Sequence, residues 1–188
     1  MPNIAVVVGS IRPGRVTRSV AEWVHQIAAK RPDSTYELVD LADFPLPAFD
    51  EPLPPQYGQY ELPHTQAWAR KVAEFDGFVF VTPEYNHGPT AALKNALDFV
   101  YGEWNNKVAG FVSLGTSGGV RAVEHLRLVA AELQMATVQA QLPLFVATDF
   151  SDYPRFSPIA SREDELTRVL DQLESWATAL GSIRSGAL

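Results

Sequence analysis

The chain has 188 residues, 22 acidic and 15 basic side chains, a formal net charge of −7 and no cysteine. At roughly 150 residues per domain it forms one domain, and a chain of this size buries about 70% of its unfolded surface, enough for a core without staples. The missing cysteines exclude disulfides, thiolate metal sites, iron–sulfur clusters and a cysteine nucleophile, and the acidic balance argues against nucleic acid or anionic membrane as a partner.

Ile4–Val8 (IAVVV) is a continuous β-branched run, which predicts a strand buried on both faces. It is too short for a signal-peptide core and no basic residue precedes it. No apolar run approaches the ~20 residues that span a bilayer, and the expected location is cytoplasmic, with which a chain without thiols is compatible. After Gly9, the residues Val20, Trp23, Val24, Ile27 and Ala28 recur at helical spacing, with Thr17 as the expected N-cap. Tyr36–Leu41 is the second strand.

Pro45–Pro63 then holds six of the fourteen prolines, an irregular surface segment that is either a stiff connector or a lid or subunit contact. Thr65 is the expected cap of a helix marked by Trp68, Val72 and Phe75. Gly77–Thr82 is the third strand, apolar until its last residue. Leu93, Ala96, Leu97, Val100 and Trp104 stripe the next helix. The stretch Phe99–Trp104 at its end, taken as exposed, is rich in aromatics of the kind that form subunit contacts, although core packing is the commoner explanation of such residues.

Lys107–Leu114 is the fourth strand, followed by a helix carrying Val123, Leu126, Val129, Ala130 and Leu133. A weaker strand lies within Thr137–Val146. Ser161 with Asp164 resembles a capping box that opens the last helix, through Leu180. Residues 1–181 are expected to form the domain and 182–188 a frayed tail.

Regular alternation of strand and helix predicts an α/β fold, a parallel sheet with helices on both faces. Five strands suit the doubly wound order 2-1-3-4-5 better than an eight-stranded barrel. Ligands in such sheets sit outside the carboxyl ends of the strands, here at the turns after strands one, three and four.

The first turn, Gly9-Ser10-Ile11-Arg12-Pro13-Gly14-Arg15-Val16-Thr17, contains no acidic residue. Free amides and the helix dipole favour an anion there. Ser10 and Thr17 add hydroxyls, and Arg12 and Arg15 add guanidinium groups suited to phosphate. Gly9 and Gly14 have the spacing of a nucleoside-triphosphate loop, but Arg15 and Val16 replace its Lys and Ser/Thr. Ile11 replaces the middle glycine of the dinucleotide fingerprint, which leaves Asp40 as an ordinary solvated strand end.

The second turn, Pro83-Glu84-Tyr85-Asn86-His87-Gly88-Pro89, is rigid. Tyr85 offers a plane and Asn86 a donor–acceptor pair for a flat heterocycle, whereas Glu84 suits a cap or ion pair. The third turn, Gly115-Thr116-Ser117-Gly118-Gly119-Val120-Arg121, presents backbone amides. Ser117 also meets the G-x-S-x-G spacing of a hydrolase, but the only later histidine, His125, lies in the same helix and closes no triad. The four histidines show no pairwise zinc spacing, so no metal is expected.

These three turns together resemble the NADPH-dependent FMN reductase family of flavodoxin-like proteins, which includes related quinone, chromate and azo-dye reductases. The resemblance rests on Gly9-Ser10-Ile11-Arg12 with Gly14, on Pro83-Glu84-Tyr85-Asn86 with Leu93-Lys94-Asn95-Ala96-Leu97-Asp98, and on Ser117-Gly118-Gly119 with Arg121-Ala122. It implies that Ser10 and Arg12 grip the FMN phosphate and that Pro83, Glu84, Tyr85 and Asn86 form the isoalloxazine loop. Ser117 and Gly118 would lie along the ring's other edge. The family often has serine and asparagine where Arg15 and Thr17 stand; Thr17 can still donate a hydrogen bond, and Arg15 either strengthens phosphate binding or turns outward.

The implied activity is transfer of hydride from NADPH or NADH through FMN to a quinone, flavin, azo compound or metal oxyanion. No residue is expected as general acid or base; the amides at Ser117–Gly119 would stabilise the charge of reduced flavin. A homodimer or homotetramer with FMN near an interface is implied as well. Two competing readings are a flavodoxin-type FMN electron carrier without nicotinamide activity and a hydrolase using Ser117.

Overall fold

The computed structural model describes residues 1–187 of the chain. Five parallel strands, β1 (Asn3–Val8), β2 (Thr35–Asp40), β3 (Gly77–Pro83), β4 (Val108–Gly115) and β5 (Ala136–Phe145), form one sheet in the order 2-1-3-4-5. The helices are α1 (Thr17–Ala28), α2 (Pro63–Ala73), α3 (Ala91–Asp98), α4 (Val120–Glu132), the short α5 (Val146–Asp149) and α6 (Ser161–Arg184). The expected flavodoxin-like three-layer α/β/α fold is therefore present. No described helix is long and apolar enough to cross a membrane.

The continuous apolar runs are explained by burial on both faces. Ala5, Val7, Phe78, Phe80, Ala109 and Phe111 point into one layer with α2, α3 and α4. Ile4, Val6, Val8, Val79, Val81 and Val112 point into the other with α1 and α6. The first layer is aromatic. Trp68 and Trp104 are buried there, and their indole N–H groups donate to the carbonyls of Ala96 (2.8 Å) and Leu97 (3.2 Å). Each such side chain contributes about 1.5–3 kcal/mol through burial, and the satisfied N–H groups remove the penalty of enclosing them.

Several local expectations change. Phe99, Val100 and Trp104 are buried, so this stretch belongs to the core and not to an exposed contact. The helix before it ends at Asp98, and Trp104 lies in a separate 3-10 turn. Thr17 is the first helical residue of α1 and makes no side-chain cap. Thr65 lies inside α2; the carboxylate of Glu51 serves that terminus instead, accepting from the amides of Glu61 (3.0 Å) and Leu62 (3.1 Å). Ser161 is likewise helical and forms no capping box.

The expected tail is partly helix. α6 runs to Arg184, whose guanidinium donates to Asp76 (2.5 Å) and to the Asn106 carbonyl (2.7 Å). Leu188 lies outside the described residues. A short hairpin of β6 (Phe150–Ser151) and β7 (Arg155–Phe156), not anticipated from the sequence, follows α5.

The proline-rich segment packs against α3. Asn95 on α3 donates to the Pro47 carbonyl (2.6 Å) and accepts from the Phe49 amide (3.1 Å). Phe49 packs edge-on against Phe99, and His64 bonds Asp50 at 2.9 Å.

Candidate functional site

The three turns after β1, β3 and β4 open at the carboxyl end of the sheet, where the strand order reverses. Thr90, which the sequence reading overlooked, joins two of them. It accepts from the Leu93 amide (3.0 Å), capping α3, and donates to the Gly9 carbonyl (2.5 Å). Its signal was an N-cap threonine directly after Pro89.

In the first turn the Ser10 side chain is buried and that of Arg12 is exposed. The Ser10 hydroxyl lies 3.0 Å from the Tyr85 hydroxyl, and the Arg12 guanidinium carbon sits 5.9 Å from the Tyr85 ring centre. The first and second turns are thus in direct contact. Thr17 is buried at the start of α1, whose first turn carries no acidic residue. Arg15 goes elsewhere: its guanidinium donates to Asp40 at 2.5 Å, where Arg18 also donates at 2.8 Å. Asp40 is therefore a buried, doubly paired carboxylate, and the expectation of a solvated strand end is corrected.

In the second turn Tyr85 and Gly88 exchange two backbone hydrogen bonds of 3.0 and 3.1 Å. The two residues between them, Asn86 and His87, have φ of 49° and 74°. This is the two-residue type I′ hairpin geometry. Asparagine and histidine tolerate that region better than most residues, yet two in succession store strain of the kind found at ligand sites. The hairpin keeps Tyr85 and Asn86 at the surface.

Glu84 faces inward. Its carboxylate pairs with the Arg121 guanidinium and accepts from the Arg121 amide at 3.2 Å. Burial alone would raise its pKa; the Arg121 side chain and the amides of Arg121 and Ala122 outweigh that and hold it low. Glu84 thereby caps α4 and ties the second turn to the third, the bracing role its type suggested.

In the third turn Gly118 and Gly119 have φ of 71° and 69°. A Cβ on Gly119 would approach the Leu114 nitrogen and Ser113 Cβ to 2.8 Å, so only glycine fits. The Gly118 carbonyl accepts from the Ser113 hydroxyl at 2.6 Å. Ser117 is exposed, and His125 packs edge-on near His87 at 6.1 Å between ring centres.

A cavity of about 470 Å³ lies against the first two turns, lined by Ser10, Ile11, Arg12, Tyr85, the wall Leu46–Ala48 and α3 residues including Asn95. A larger hollow of about 870 Å³ lies elsewhere, between α4, β5 and α6, among mixed charges such as Glu124, Arg127, Arg168 and Asp171. The strand-end cavity is the better site, because it lies outside the carboxyl ends of β1 and β3, where the strand order reverses and Ser10–Arg12 meet Tyr85 and the start of α3. Its donor set fits FMN: a hydroxyl and an arginine for the phosphate with no acidic neighbour in the turn, and a tyrosine plane beside exposed backbone for the ring.

A family model described as NADPH-dependent FMN reductase matches residues 2–148. The chain belongs to the NADPH-dependent FMN reductase family. An NAD(P)H-dependent FMN reductase of Schizosaccharomyces pombe is 43% identical over 150 residues, covering 79% of this chain and 75% of that protein. A 2-hydroxy-1,4-benzoquinone reductase of a Burkholderia species is 30% identical over 184 residues, covering 93% and 95% of the two chains. Among solved structures, the flavoenzyme NAD(P)H:(acceptor) oxidoreductase of Paracoccus denitrificans superposes with a TM-score of 0.73 at 19% identity, over 95% of this chain and 98% of that one.

That last likeness concerns the fold alone. Family membership makes this chain an NAD(P)H-dependent oxidoreductase that works through FMN, not a flavodoxin-type carrier. The hydrolase reading also falls.

Proposed function

We propose that this chain is an NAD(P)H:acceptor reductase whose FMN lies across the three strand-end turns, with a quinone as its acceptor. The observation that carries the assignment is the contact of Ser10 and Arg12 with Tyr85, which joins a phosphate-type turn to an aromatic plane in one crevice. When bound, FMN supplies the two-electron relay between NAD(P)H and the acceptor.

The chain's own groups bind and orient. Ser10, Arg12 and the amino end of α1 with Thr17 hold the phosphate. Pro83, Glu84, Tyr85 and Asn86 shape one side of the ring site, Glu84 acting through Arg121 and not through the ligand. The Ser117 and Gly119 amides face the other edge and favour negative charge there, and the Gly118 amide closes the turn on the Gly115 carbonyl at 3.2 Å. Arg15 supports the site from outside by holding Asp40 and the end of β2. No side chain is assigned a proton transfer.

The domain expected over residues 1–181 extends through α6 to Arg184 and works as a cytoplasmic homodimer or homotetramer. The Burkholderia relative is named for a benzoquinone, and the apolar wall Ile11, Leu46, Pro47 and Ala48 suits such a flat acceptor. Initial rates of FMN-loaded protein with NADPH and a benzoquinone test the assignment. Parallel double-reciprocal lines, the mark of two half-reactions sharing one site, are expected. Flavin reduction by NADPH without any turnover of the benzoquinone overturns the acceptor assignment.

A further inference from the structure

The Ser117–Gly119 turn is fastened to β4 on one side, where the Ser113 hydroxyl donates to the Gly118 carbonyl at 2.6 Å and the Gly118 amide to the Gly115 carbonyl at 3.2 Å. Gly118 and Gly119 have no side chains, and Ser117 is exposed. Its opposite side is set by what it rests upon, the end of β5. A Cβ placed on Gly118 would come within 2.9 Å of Phe145 Cζ and of Pro143 Cβ, so both side chains lie directly against the glycine. Phe145 is the last residue of β5, opposite Gly115 at the end of the ladder. No further strand pairing follows to fix it.

Asp149 fixes it instead. This carboxylate is fully buried. It accepts from the Phe145 amide (2.8 Å), the Thr148 hydroxyl (3.1 Å), and Arg162 Nε (2.9 Å) and Nη2 (3.0 Å). The same guanidinium lies 5.7 Å from the Phe145 ring centre, and its remaining nitrogen donates to Glu165 at 2.8 Å. Phe145 is therefore held twice, through its amide by Asp149 and through its ring by Arg162. A buried ion pair seldom stabilises more than apolar side chains of equal volume would. Its worth here is geometric, because it sets a ring that sets a turn.

We infer that Phe145, fixed by the buried Asp149–Arg162 pair, is a positioning residue for the Ser117–Gly119 turn. The inference rests on the proposed placement of the flavin's edge at that turn. It links the first turn of α6 to the flavin site through contacts that involve neither substrate nor cofactor.

Phe145→Leu and Arg162→Gln test it, each compared with the wild type by FMN titration, by the midpoint potential of bound FMN and by amide NMR resonances. The Gly118 and Gly119 resonances should move in both variants, the FMN dissociation constant should rise about tenfold, and the potential should shift. Gly118→Ala should also do less harm in the Phe145→Leu background than in the wild type, because neighbouring substitutions couple.

Unmoved glycine resonances overturn the inference. So do moved resonances with unchanged affinity and potential. Should Arg162→Gln fail to fold, Phe145→Leu decides alone, since it leaves no buried charge unpaired. A wild type that takes up no FMN refutes the proposed function instead, and the resonances then decide whether Phe145 positions the turn.

Discussion

Replacing Gly119 with alanine isolates the steric demand of the third turn, and Gly14→Ala is its internal control. The two glycines have nearly the same left-handed backbone, with φ of 69° and 70°. Their surroundings differ. A Cβ on Gly14 meets nothing within 4 Å, whereas one on Gly119 would lie 2.8 Å from the Leu114 nitrogen and Ser113 Cβ and 3.0 Å from the Leu114 oxygen. Those atoms belong to β4, which is paired on both sides by β3 and β5, and cannot withdraw.

The left-handed conformation costs alanine about 1–2 kcal/mol at either site, and overpacking adds about 1–3 kcal/mol at Gly119 alone. With about 2–4 °C per kcal/mol for a chain of this size, Gly119→Ala should lower the melting temperature by roughly 5–15 °C and Gly14→Ala by a few degrees. Thermal unfolding followed by circular dichroism reads both. Equal losses would refute the steric argument and with it the claim that this turn is fixed by close backbone approach.

Arg12→Ala should weaken FMN binding about 10- to 100-fold, the worth of one charge-assisted hydrogen bond, with little change in melting temperature because the side chain is exposed. Arg15→Ala should do the reverse, losing stability at the buried Asp40 while retaining FMN; calorimetric titration and melting separate the two. Burial and the nearby Arg184 push the Lys107 ammonium down from its usual 10.5 to about 8. The unfolded chain then binds more protons between those values, so this group makes stability rise with pH from about 8 towards 10. Lys107→Met should flatten that rise in urea titrations run at several pH values. The depressed carboxyl of Glu84 contributes stability that is present above the ordinary glutamate range and is lost as pH falls through its folded value. Glu84→Gln should cost about 1–3 kcal/mol at pH 7 and blunt the acid limb of the same titration.

The doubly covered strands were legible because Ile4–Val8, Gly77–Thr82 and Lys107–Leu114 are nearly continuous apolar runs bounded by turn residues, and the sheet order followed from five alternations of strand and helix. The three candidate turns followed from where such sheets leave helix N-termini unpaired. Helix caps were the least legible feature. Thr17, Thr65 and Ser161 carry the right side chains, but Glu51 serves α2 from ten residues upstream of Glu61 and Glu84 serves α4 from the turn after β3, and no capping motif encodes that. Asp40 looked solvated for the same reason, since Arg15 and Arg18 close on it only after α1 has formed. The Phe145–Asp149–Arg162 arrangement was invisible because it joins a strand end, a four-residue helix and the start of α6.

FMN bound across these turns is the redox centre of the proposed function, and NAD(P)H reduces it. The direct measurement is the visible spectrum of the protein with one equivalent of FMN, followed by anaerobic titration with NADPH. The flavin bands should shift on binding, as the ring leaves water, and then bleach with one equivalent of NADPH. Bands identical to free FMN, or a bound flavin that stays oxidised under excess NADPH and NADH, would contradict it.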